Sequence, residues 1–303
     1  MKKRNGFKKH HDLPREEKIT HDLSFVRAAR AGREDLTSRI PELSQLCKKT
    51  VTVIGLGCLG APSVLEFSRC GVGEIRIIDF DIVETGTIVR WPFGLTAVGK
   101  HKTDVISDFI KINYPYTKIV PFTHKIGGEP NPGERFDALE SALDNTDLVF
   151  DATAETGVQH LLSDLAAERS IPYIGISATV GNWGGMLFRI RPLVTEGCWV
   201  CFMHRLNDRS IPTPPADPAG LFQPIGCADP TFTGSGFDAS MISLSGVRLA
   251  MSTLTAQQEK GYPSFDWDIA IVNLRDEQGR ATVPTWNTFS LQKHPLCSCS
   301  KGA

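Results

Sequence analysis

Residues 50–60 read TVTVIGLGCLG, and this junction constrains the fold more than any other stretch of the chain. The β-branched run that opens it is typical of a buried parallel strand. Gly55, Gly57 and Gly60 follow the spacing G-x-G-x-x-G, in which two glycines allow a tight turn and close ligand approach, and the third lets a helix pack near the strand. The N-terminus of that helix offers free N–H groups to a phosphate. The junction predicts a strand–turn–helix unit that holds a nucleotide; the alternative is a tight turn without a ligand.

Strand-like and helix-like segments alternate after this junction. The stretches EIRIIDFD, KIVPFT, DLVFDAT and PYIGISAT have the composition of strands, and the predicted helices between and around them cover residues 59–70, 100–113, 137–144 and 156–169. This alternation is the pattern of a doubly wound α/β fold. The sequence therefore predicts a Rossmann-like, mostly parallel sheet with helices on both faces.

The regions on either side of this alternation have a different character. Residues 1–50 are predicted to form an N-terminal tail and a helical arm, which Pro41 interrupts. Residues 51–178 are the predicted nucleotide-binding core, and residues 179–303 a C-terminal part. In this last part the stretches GGMLFRIRP, WDIAIVNL and TWNTFSLQ are predicted strands of an antiparallel extension, and residues 237–257 a helix.

The composition excludes some classes of function and favours one compartment. With 41% hydrophobic residues, 22% charged residues and a net charge of -1, the chain is typical of a globular protein without a dedicated nucleic-acid surface. Its basic start is not followed by the apolar segment of a secretory signal, and no apolar run is long enough to span a membrane. We therefore expect a cytoplasmic protein, in which the 8 cysteines serve as metal ligands, core residues or catalysts rather than disulfides.

Charged residues after the glycine loop indicate what kind of nucleotide would bind. Asp79 ends the next predicted strand about 20 residues on, where a carboxylate accepts a hydrogen bond from a ribose hydroxyl. Arg90 and Lys102 follow, with Lys100 between them a weaker candidate. A dehydrogenase has no obvious use for these cations, whereas an enzyme that splits ATP between the α- and β-phosphates does, because charge builds on those oxygens. The alternative is that they are ordinary exposed cations.

The stretch VIGLGCLGAPSVLEFSRCGVGEIRIIDFDIVETGTIVR, followed by VGKHK, resembles the adenylating core shared by ThiF, MoeB, HesA and the ubiquitin-activating enzymes. The resemblance covers about residues 20–180. It implies that the C-terminal glycine carboxylate of a ubiquitin-like protein attacks the α-phosphate of ATP, giving an acyl-adenylate and pyrophosphate. It also implies that Asp79 holds the ribose, that Arg90 and Lys102 hold the phosphates, and that the glycine loop cradles the nucleotide.

The same resemblance implies a homodimer and a magnesium site. Family members borrow an arginine from the N-terminal helix of a dimer partner, and the candidates here are Arg27, Arg30 and Arg33. The family motif Asp-x-Thr-Asp-Asn, whose second aspartate binds Mg²⁺, reads DATAE in this chain. Asp151 matches the first aspartate, but Ala154 stands at the metal-binding position, which leaves Asp151 or Glu155 for the ion. The family's Ser-Asn-Leu before the phosphate-binding arginine is likewise replaced, by Gly-Thr-Ile at residues 86–88.

Two close pairs of cysteines predict a metal site. Cys198 and Cys201 form C-x-x-C, and Cys297 and Cys299 form C-x-C near the end of the sequence. Four such thiolates can complete a closed, structural Cys₄ zinc site that joins the C-terminal segment to the core. Many ThiF- and MoeB-like proteins resemble this chain in carrying two such pairs. The alternatives are free thiols, or a ligand substituted by His204 or His294.

Cys227 lies in a Pro- and Gly-rich stretch, residues 206–236, that is predicted to be a loop of the length seen in functional or disordered segments. The remaining cysteines, Cys47, Cys58 and Cys70, are predicted packing residues or, for Cys58, a small residue of the glycine loop. The resemblance implies that a cysteine in this crossover loop attacks the acyl-adenylate and forms a thioester. The alternative is an incidental loop cysteine.

These observations favour a stand-alone bacterial activating enzyme for a ubiquitin-like protein, which needs ATP, Mg²⁺ and Zn²⁺. Only about 50 residues precede the predicted core, so a separate conjugating enzyme is expected as a partner. Enzymes of bacterial anti-phage conjugation operons look like this chain. Three alternatives stay open: a sulfur-carrier adenylyltransferase of thiamine or molybdopterin synthesis, an NAD-dependent oxidoreductase, and a non-catalytic scaffold that has lost magnesium binding.

Overall fold

The computed structural model describes residues 30, 32–127, 132–223 and 230–300. In this part of the chain eight strands form one sheet with the order β3-β2-β1-β4-β5-β6-β7-β8. The strands are β1 (Thr50–Ile54), β2 (Glu74–Ile78), β3 (Lys118–Phe122), β4 (Leu148–Asp151), β5 (Tyr173–Ala178), β6 (Gly184–Ile190), β7 (Ile269–Arg275) and β8 (Ala281–Phe289). The predicted α/β fold is therefore confirmed, together with the three late strands.

The α-helices lie between these strands or flank them. They are α1 (Arg33–Thr37), α2 (Gly60–Arg69), α3 (Lys102–Asn113), α4 (Pro132–Leu143), α5 (Thr156–Glu168), α6 (Trp199–Asn207) and α7 (Gly236–Leu254). Of the predicted arm, the described residues contain α1 and a 3-10 helix, Pro41–Lys48. Pro41 is the first residue of that 3-10 helix, a position where the missing N–H of proline costs nothing.

The strand order places the glycine loop at the point where the sheet changes direction. Strand β1 pairs in parallel with both β2 and β4, so the chain builds the sheet first to one side of β1 and then to the other. In open α/β sheets, ligands bind in the crevice at the carboxyl ends of the strands where this reversal occurs. The loop that follows Ile54 lies at that crevice.

The inner strands of the sheet, β1, β2 and β4 to β7, are largely buried on both faces by apolar side chains, as their near-continuous hydrophobic sequences predict. One face packs against α2, α3 and α7, with the rings of Phe67 and Phe150 meeting edge to face at 5.1 Å. The other face packs against α4, α5 and α6 around residues such as Leu162 and Phe202. Helices α2 and α7 are also joined by a buried hydrogen bond between Ser63 Oγ and Ser243 Oγ, 2.9 Å. The packed layers hold the start of α2 and the start of α7 on the same side of the sheet.

The sheet changes from parallel to antiparallel after β5. Strands β5 and β6 pair antiparallel, and β7 and β8 continue the same pattern to an exposed edge. Although β6 and β7 are neighbours, residues 191–268 lie between them in sequence and carry α6, a long loop and α7. The division of the chain at residues 50 and 178 remains a prediction. Strands from both sides of residue 178 belong to one sheet. No helix among the described residues is long and apolar enough to cross a membrane.

Candidate functional site

Each glycine of the loop after β1 has a different local reason to be glycine. Gly55 has a φ of +83°, in the left-handed region that disfavours other residues. A Cβ on Gly60 would lie 2.9 Å from the carbonyl carbon of Gly55 and overlap the carbonyl oxygen, so the helix packs on the loop without room for a side chain. A Cβ on Gly57, in contrast, would meet no described atom within 4 Å. The loop is therefore tightly packed on one side and open at Gly57, as a ligand cradle requires.

Asp79 lies beside this loop at the end of β2. Its carboxylate accepts hydrogen bonds from the backbone N–H of Leu56 at 2.5 Å and of Asp81 at 2.7 Å. Burial raises the pKa of the Asp79 carboxyl, and the positive charge of Lys102 and the two N–H bonds oppose that rise. A carboxylate has about four acceptor sites, so two remain for the hydroxyls of a ribose.

Lys102 is the first residue of α3, and its side chain is buried. The ammonium nitrogen lies 2.6 Å from Asp81 Oδ2, and the Lys102 N–H donates to the Asp81 carbonyl at 3.0 Å. An ammonium group has three donors, so this ion pair leaves two for another ligand. Lys100, the weaker candidate, is exposed.

Arg90 follows a 3-10 helix, Thr85–Val89, and its guanidinium is held by the chain just before α7. Nη1 donates to the carbonyl of Phe232 at 2.8 Å, and Nη2 donates to the hydroxyl of Thr231. The guanidinium carbon also lies 4.8 Å from the centre of the Phe232 ring. No local pattern in the sequence indicates these contacts, because 141 positions separate Arg90 from Thr231.

The glycine loop lies within the electrostatic reach of both cations. Burial raises the pKa of the Cys58 thiol, which belongs to the loop, while the charges of Arg90 and Lys102 oppose the rise. The indole N–H of Trp91 donates to the Leu56 carbonyl at 2.7 Å and fastens the segment after Arg90 to the same loop. The structure thus brings together the glycine loop, Asp79, Arg90 and Lys102 at the carboxyl ends of β1 and β2. Trp91 also belongs to this site, and no motif in the sequence indicated it.

Asp151 has a different environment from the one that its motif suggests. Its side chain is fully buried and accepts from the Thr153 N–H at 2.9 Å, the Thr153 hydroxyl at 2.7 Å and the Tyr173 hydroxyl at 2.8 Å. Burial raises the pKa of this carboxyl, and the three donors oppose the rise. These contacts fix the loop that packs on Gly55, where a Cβ would lie 3.0 Å from the Thr153 nitrogen.

The magnesium prediction depends on this same loop. Mg²⁺ in nucleotide sites is held by one or two carboxylates together with phosphates and water. The oxygens of Asp151 are enclosed by protein donors, so they do not fit that role in this arrangement, whereas Glu155 is exposed. Ala154, between them, has a φ of +57°. Of the two carboxylates in residues 151–155, only Glu155 is placed to meet a hydrated ion.

Two of the predicted residues lie outside the described part of the chain, Cys227 and Arg27. Arg30 is exposed and 3.5 Å from a carboxylate oxygen of Asp35. The guanidinium of Arg33 donates to the Tyr116 carbonyl at 2.5 Å and stacks over the ring of that residue at 5.7 Å.

The four cysteines of the predicted metal site meet in space. Their sulfur atoms all lie within 4.8 Å of one another, with Cys198–Cys201, Cys198–Cys297 and Cys201–Cys299 distances of 3.8, 3.6 and 3.3 Å. Four sulfurs at Zn–S distances of about 2.3 Å form a tetrahedron with edges of about 3.8 Å, so this group fits the ion. Burial raises the pKa of the Cys198 and Cys299 thiols, whereas N–H donors that include the one of His294 lower the pKa of Cys201 to about 7 against the effect of burial.

The neighbouring histidines have other partners. Nε2 of His294 lies 3.0 Å from Asp208 Oδ2, and its Nδ1 accepts from the Leu296 N–H at 3.2 Å. The ring of His204 stacks on that of His294 at 4.8 Å. The geometry therefore favours an all-cysteine ligand set over the alternative in which a histidine takes part.

The strand order, the glycine loop and the flanking cations together define an α/β protein of the nucleotide-binding class. The ThiF family is matched over residues 32–298, and the chain belongs to that family. Uncharacterized protein y4oA of Sinorhizobium fredii is 35% identical over 91% of this chain and 47% of its own length. The ATP-dependent ubiquitin transferase-like protein Cap2 of Enterobacter hormaechei is 23% identical over 84% of this chain and 42% of its length. The adenylyltransferase and sulfurtransferase UBA4 of Yarrowia lipolytica is 29% identical over 49% of this chain and 36% of its length.

Solved structures show the same fold at low sequence identity. E. coli MccB with AMPCPP and MccA aligns with a TM-score of 0.61 and 16% identity, over 85% of this chain and 68% of the MccB chain. PaaA aligns with a TM-score of 0.62 and 17% identity, over 91% of this chain and 79% of the PaaA chain. The chain spans about half the length of its Sinorhizobium fredii relative y4oA.

Proposed function

We propose that this chain uses ATP to adenylate the C-terminal glycine carboxylate of a ubiquitin-like protein. One observation carries the proposal: Arg90 and Lys102 flank a glycine loop that opens to free space at Gly57. Leu56 of the loop is hydrogen-bonded to Trp91, the neighbour of Arg90, and to Asp79, and the nearby Asp81 pairs with Lys102. A pocket that only held a dinucleotide would gain little from two such cations, whereas phosphoryl chemistry at the α-phosphate needs them. Membership of the ThiF family supports the same choice over the NAD-dependent alternative.

The chemistry assigns a role to each part of the site. A carboxylate oxygen of the substrate attacks the α-phosphorus of ATP, the bond to the bridging oxygen of the β-phosphate breaks, and pyrophosphate leaves. Arg90 and Lys102 stabilise the negative charge that grows on the phosphate oxygens, and the first N–H groups of α2 add their dipole. Asp79 accepts from the ribose and thereby fixes the position of the α-phosphate. Glu155 is the carboxylate assigned to Mg²⁺, which would neutralise phosphate charge when bound.

The second step of the proposal uses Cys227. Its thiolate attacks the acyl carbon of the adenylate, AMP leaves with the electron pair of the broken bond, and a thioester forms for transfer to a conjugating enzyme. The support for this step is the family resemblance and the similarity to Cap2, whose name describes a ubiquitin transferase-like protein. A homodimer that supplies an N-terminal arginine is part of the same proposal.

ATP–pyrophosphate exchange tests the first step. Purified protein is incubated with labelled pyrophosphate, ATP, Mg²⁺ and candidate small β-grasp proteins that end in an exposed glycine. Arg90→Ala and Lys102→Ala are each expected to lower the exchange rate at least tenfold, since a charge-stabilising donor is worth several kcal/mol. Lys100→Ala is the matched control, because Lys100 is exposed two residues before Lys102. Unchanged exchange in Arg90→Ala would contradict the phosphate assignment.

A thiol-sensitive adduct tests the second step. The activated substrate is expected to form an enzyme adduct that reducing agent removes, and Cys227→Ala should abolish it while exchange continues. Cys47→Ala controls for thiol loss elsewhere in the chain. An adduct that persists in Cys227→Ala would show that another group is the nucleophile.

Sulfur-carrier activation is the second candidate function, and the similarity to UBA4, named as an adenylyltransferase and sulfurtransferase, favours it. It shares the adenylation step but consumes the adenylate in sulfur transfer. The two candidates differ in the adduct experiment. Exchange with a sulfur-carrier protein, without a Cys227 adduct to any β-grasp protein, would select this second function.

A further inference from the structure

Arg90 contacts the chain just before α7, and the proposed function gives these contacts no role. Three groups of that segment touch the guanidinium: the Phe232 carbonyl at 2.8 Å, the Thr231 hydroxyl, and the Phe232 ring at 4.8 Å from the guanidinium carbon. The two hydrogen bonds fix the ends of the guanidinium, and the ring supports its plane. A long side chain that otherwise samples many rotamers is held here in one orientation.

This orientation leaves donors available for a ligand. A guanidinium has five N–H groups, and the Phe232 carbonyl and Thr231 hydroxyl use two of them. Because arginine recognises phosphate through a planar fork of parallel N–H bonds, the angle of that plane decides how well it binds. In the described orientation the charge of Arg90 already reaches the glycine loop, where it opposes the rise in the pKa of Cys58 that burial causes.

The holding segment is itself fixed by backbone contacts. Thr231 forms an isolated antiparallel bridge with Phe222, with N–H to carbonyl distances of 2.9 and 2.7 Å in the two directions. Next to it, α7 begins at Gly236, where a Cβ would lie 3.0 Å from the Arg90 Cα. Ser235 caps α7 by accepting from the Asp238 N–H at 3.2 Å. Thr231 and Phe232 therefore sit between two fixed points and present a stable surface to Arg90.

We propose that Thr231 and Phe232 are positioning residues for Arg90, and that they orient its guanidinium for the phosphates of a nucleoside triphosphate. This inference rests on the proposed function, in which Arg90 is the phosphate-binding cation. It assigns to residues 231–232, near the end of the predicted loop 206–236, a task besides connecting that loop to α7. The segment thereby links the phosphate site to the part of the chain that contains the predicted nucleophile.

The test measures how much more tightly the protein binds a triphosphate than a monophosphate. Affinities for AMPCPP and for AMP, determined by calorimetry with Mg²⁺, give a ratio that isolates the contribution of the β- and γ-phosphates without any reaction. Arg90→Ala is expected to lower this ratio at least tenfold, since it removes a charge-assisted fork. Thr231→Val and Phe232→Leu are each expected to lower it about three- to tenfold, because the charge remains but its orientation is lost.

Matched variants separate positioning from a general loss of structure. Thr231→Ser keeps the hydroxyl and Phe232→Tyr keeps the ring, so each variant should keep the wild-type ratio of AMPCPP to AMP affinity. Thr233→Val removes an exposed hydroxyl whose partner is Asp217, and Phe237→Leu shortens an exposed ring, so neither should change the ratio. In the Arg90→Ala background, Thr231→Val should cause no further loss, since residues that act through one another are not additive.

The outcomes separate this inference from the proposed function. If Arg90→Ala lowers the ratio while Thr231→Val and Phe232→Leu leave it unchanged, the positioning role is wrong and the proposed function stands. If Thr231→Val lowers the ratio equally with and without Arg90, the loss does not pass through Arg90, and the inference is again overturned. If the wild-type protein shows no preference for AMPCPP over AMP, the proposed function fails, and this inference fails with it.

Discussion

Gly57 and Gly60 belong to one loop, yet alanine at these two positions should affect different properties: nucleotide affinity at Gly57 and stability at Gly60. At Gly60 the added Cβ would lie 2.9 Å from the Gly55 carbonyl carbon and overlap its oxygen, and 3.2 Å from the Ala152 Cβ. Non-bonded carbons are comfortable at about 3.5–4.0 Å, so α2 must move away from β1. At Gly57 the Cβ would point into space that no described atom occupies within 4 Å, and Gly57 is not among the glycines with positive φ.

The magnitudes follow from these contacts. Overpacking against backbone costs about 3 kcal/mol, so Gly60→Ala should lower the free energy of unfolding by roughly that amount. With an unfolding entropy of about 2.1 cal/mol/K per residue, a chain of 303 residues loses about 5 °C in Tm for this change. Gly57→Ala should change the free energy of unfolding by less than about 1 kcal/mol in either direction. Its affinity for AMPCPP should nevertheless fall at least tenfold, because the methyl group occupies the cradle.

Two measurements on the same samples decide the matter: thermal unfolding followed by circular dichroism, and AMPCPP binding by calorimetry. We expect Gly57→Ala to be stable but to bind nucleotide poorly, and Gly60→Ala to be less stable than the wild type. If Gly57→Ala bound AMPCPP with wild-type affinity, the nucleotide would not lie against Gly57. If it unfolded as early as Gly60→Ala, the free space at Gly57 would not exist in solution.

Two further predictions concern the buried polar groups and the cysteine cluster. Tyr173→Phe removes one donor to the buried Asp151 carboxylate and should cost about 2 kcal/mol in urea unfolding at a pH where Asp151 is ionised. Because burial raises the pKa of Asp151, its native pKa exceeds its unfolded pKa; the cost of the lost donor is present above the native pKa and should shrink as the pH falls through it. A difference between variant and wild type that stayed the same over the whole pH range in which both proteins are folded would refute this account. Purified protein should contain about one zinc ion per chain, and Cys299→Ser should lower both the zinc content and the Tm, whereas Cys70→Ser should leave the zinc content unchanged. A metal-free protein with an unchanged Tm would contradict the structural role.

The sequence allowed the core of the fold to be predicted because its signals are local. The β-branched runs identified β1, β2 and β4, and the glycine spacing identified the turn and the start of α2 within one residue. The cysteine pairs were recognisable for a similar reason, since each pair sits within four consecutive residues. The meeting of the two pairs could only be expected from their chemistry.

The parts that could not be predicted depend on contacts between distant residues. Asp151 matches a family motif, but its environment is decided by Tyr173, which β5 places beside β4. Arg90 was predicted to bind phosphate, but nothing in the sequence indicated that Thr231 and Phe232 would hold its side chain. The hydrogen bond from Trp91 to Leu56 joins two segments that the sequence analysis treated separately. In each case the tertiary fold, rather than any local pattern, brings the partners together.

The long connection between β6 and β7 has a consequence for how such proteins can diversify. The chain leaves the sheet at Ile190 and re-enters it at Ile269, on the strand directly alongside. Both ends of this connection therefore lie at the neighbouring strands β6 and β7. Lengthening the connection costs only about 0.6 kcal/mol of closure entropy per doubling of its length. Insertions between α6 and Phe222 would lengthen this connection while every strand keeps its register and the contacts of Thr231 and Phe232 with Arg90 are kept.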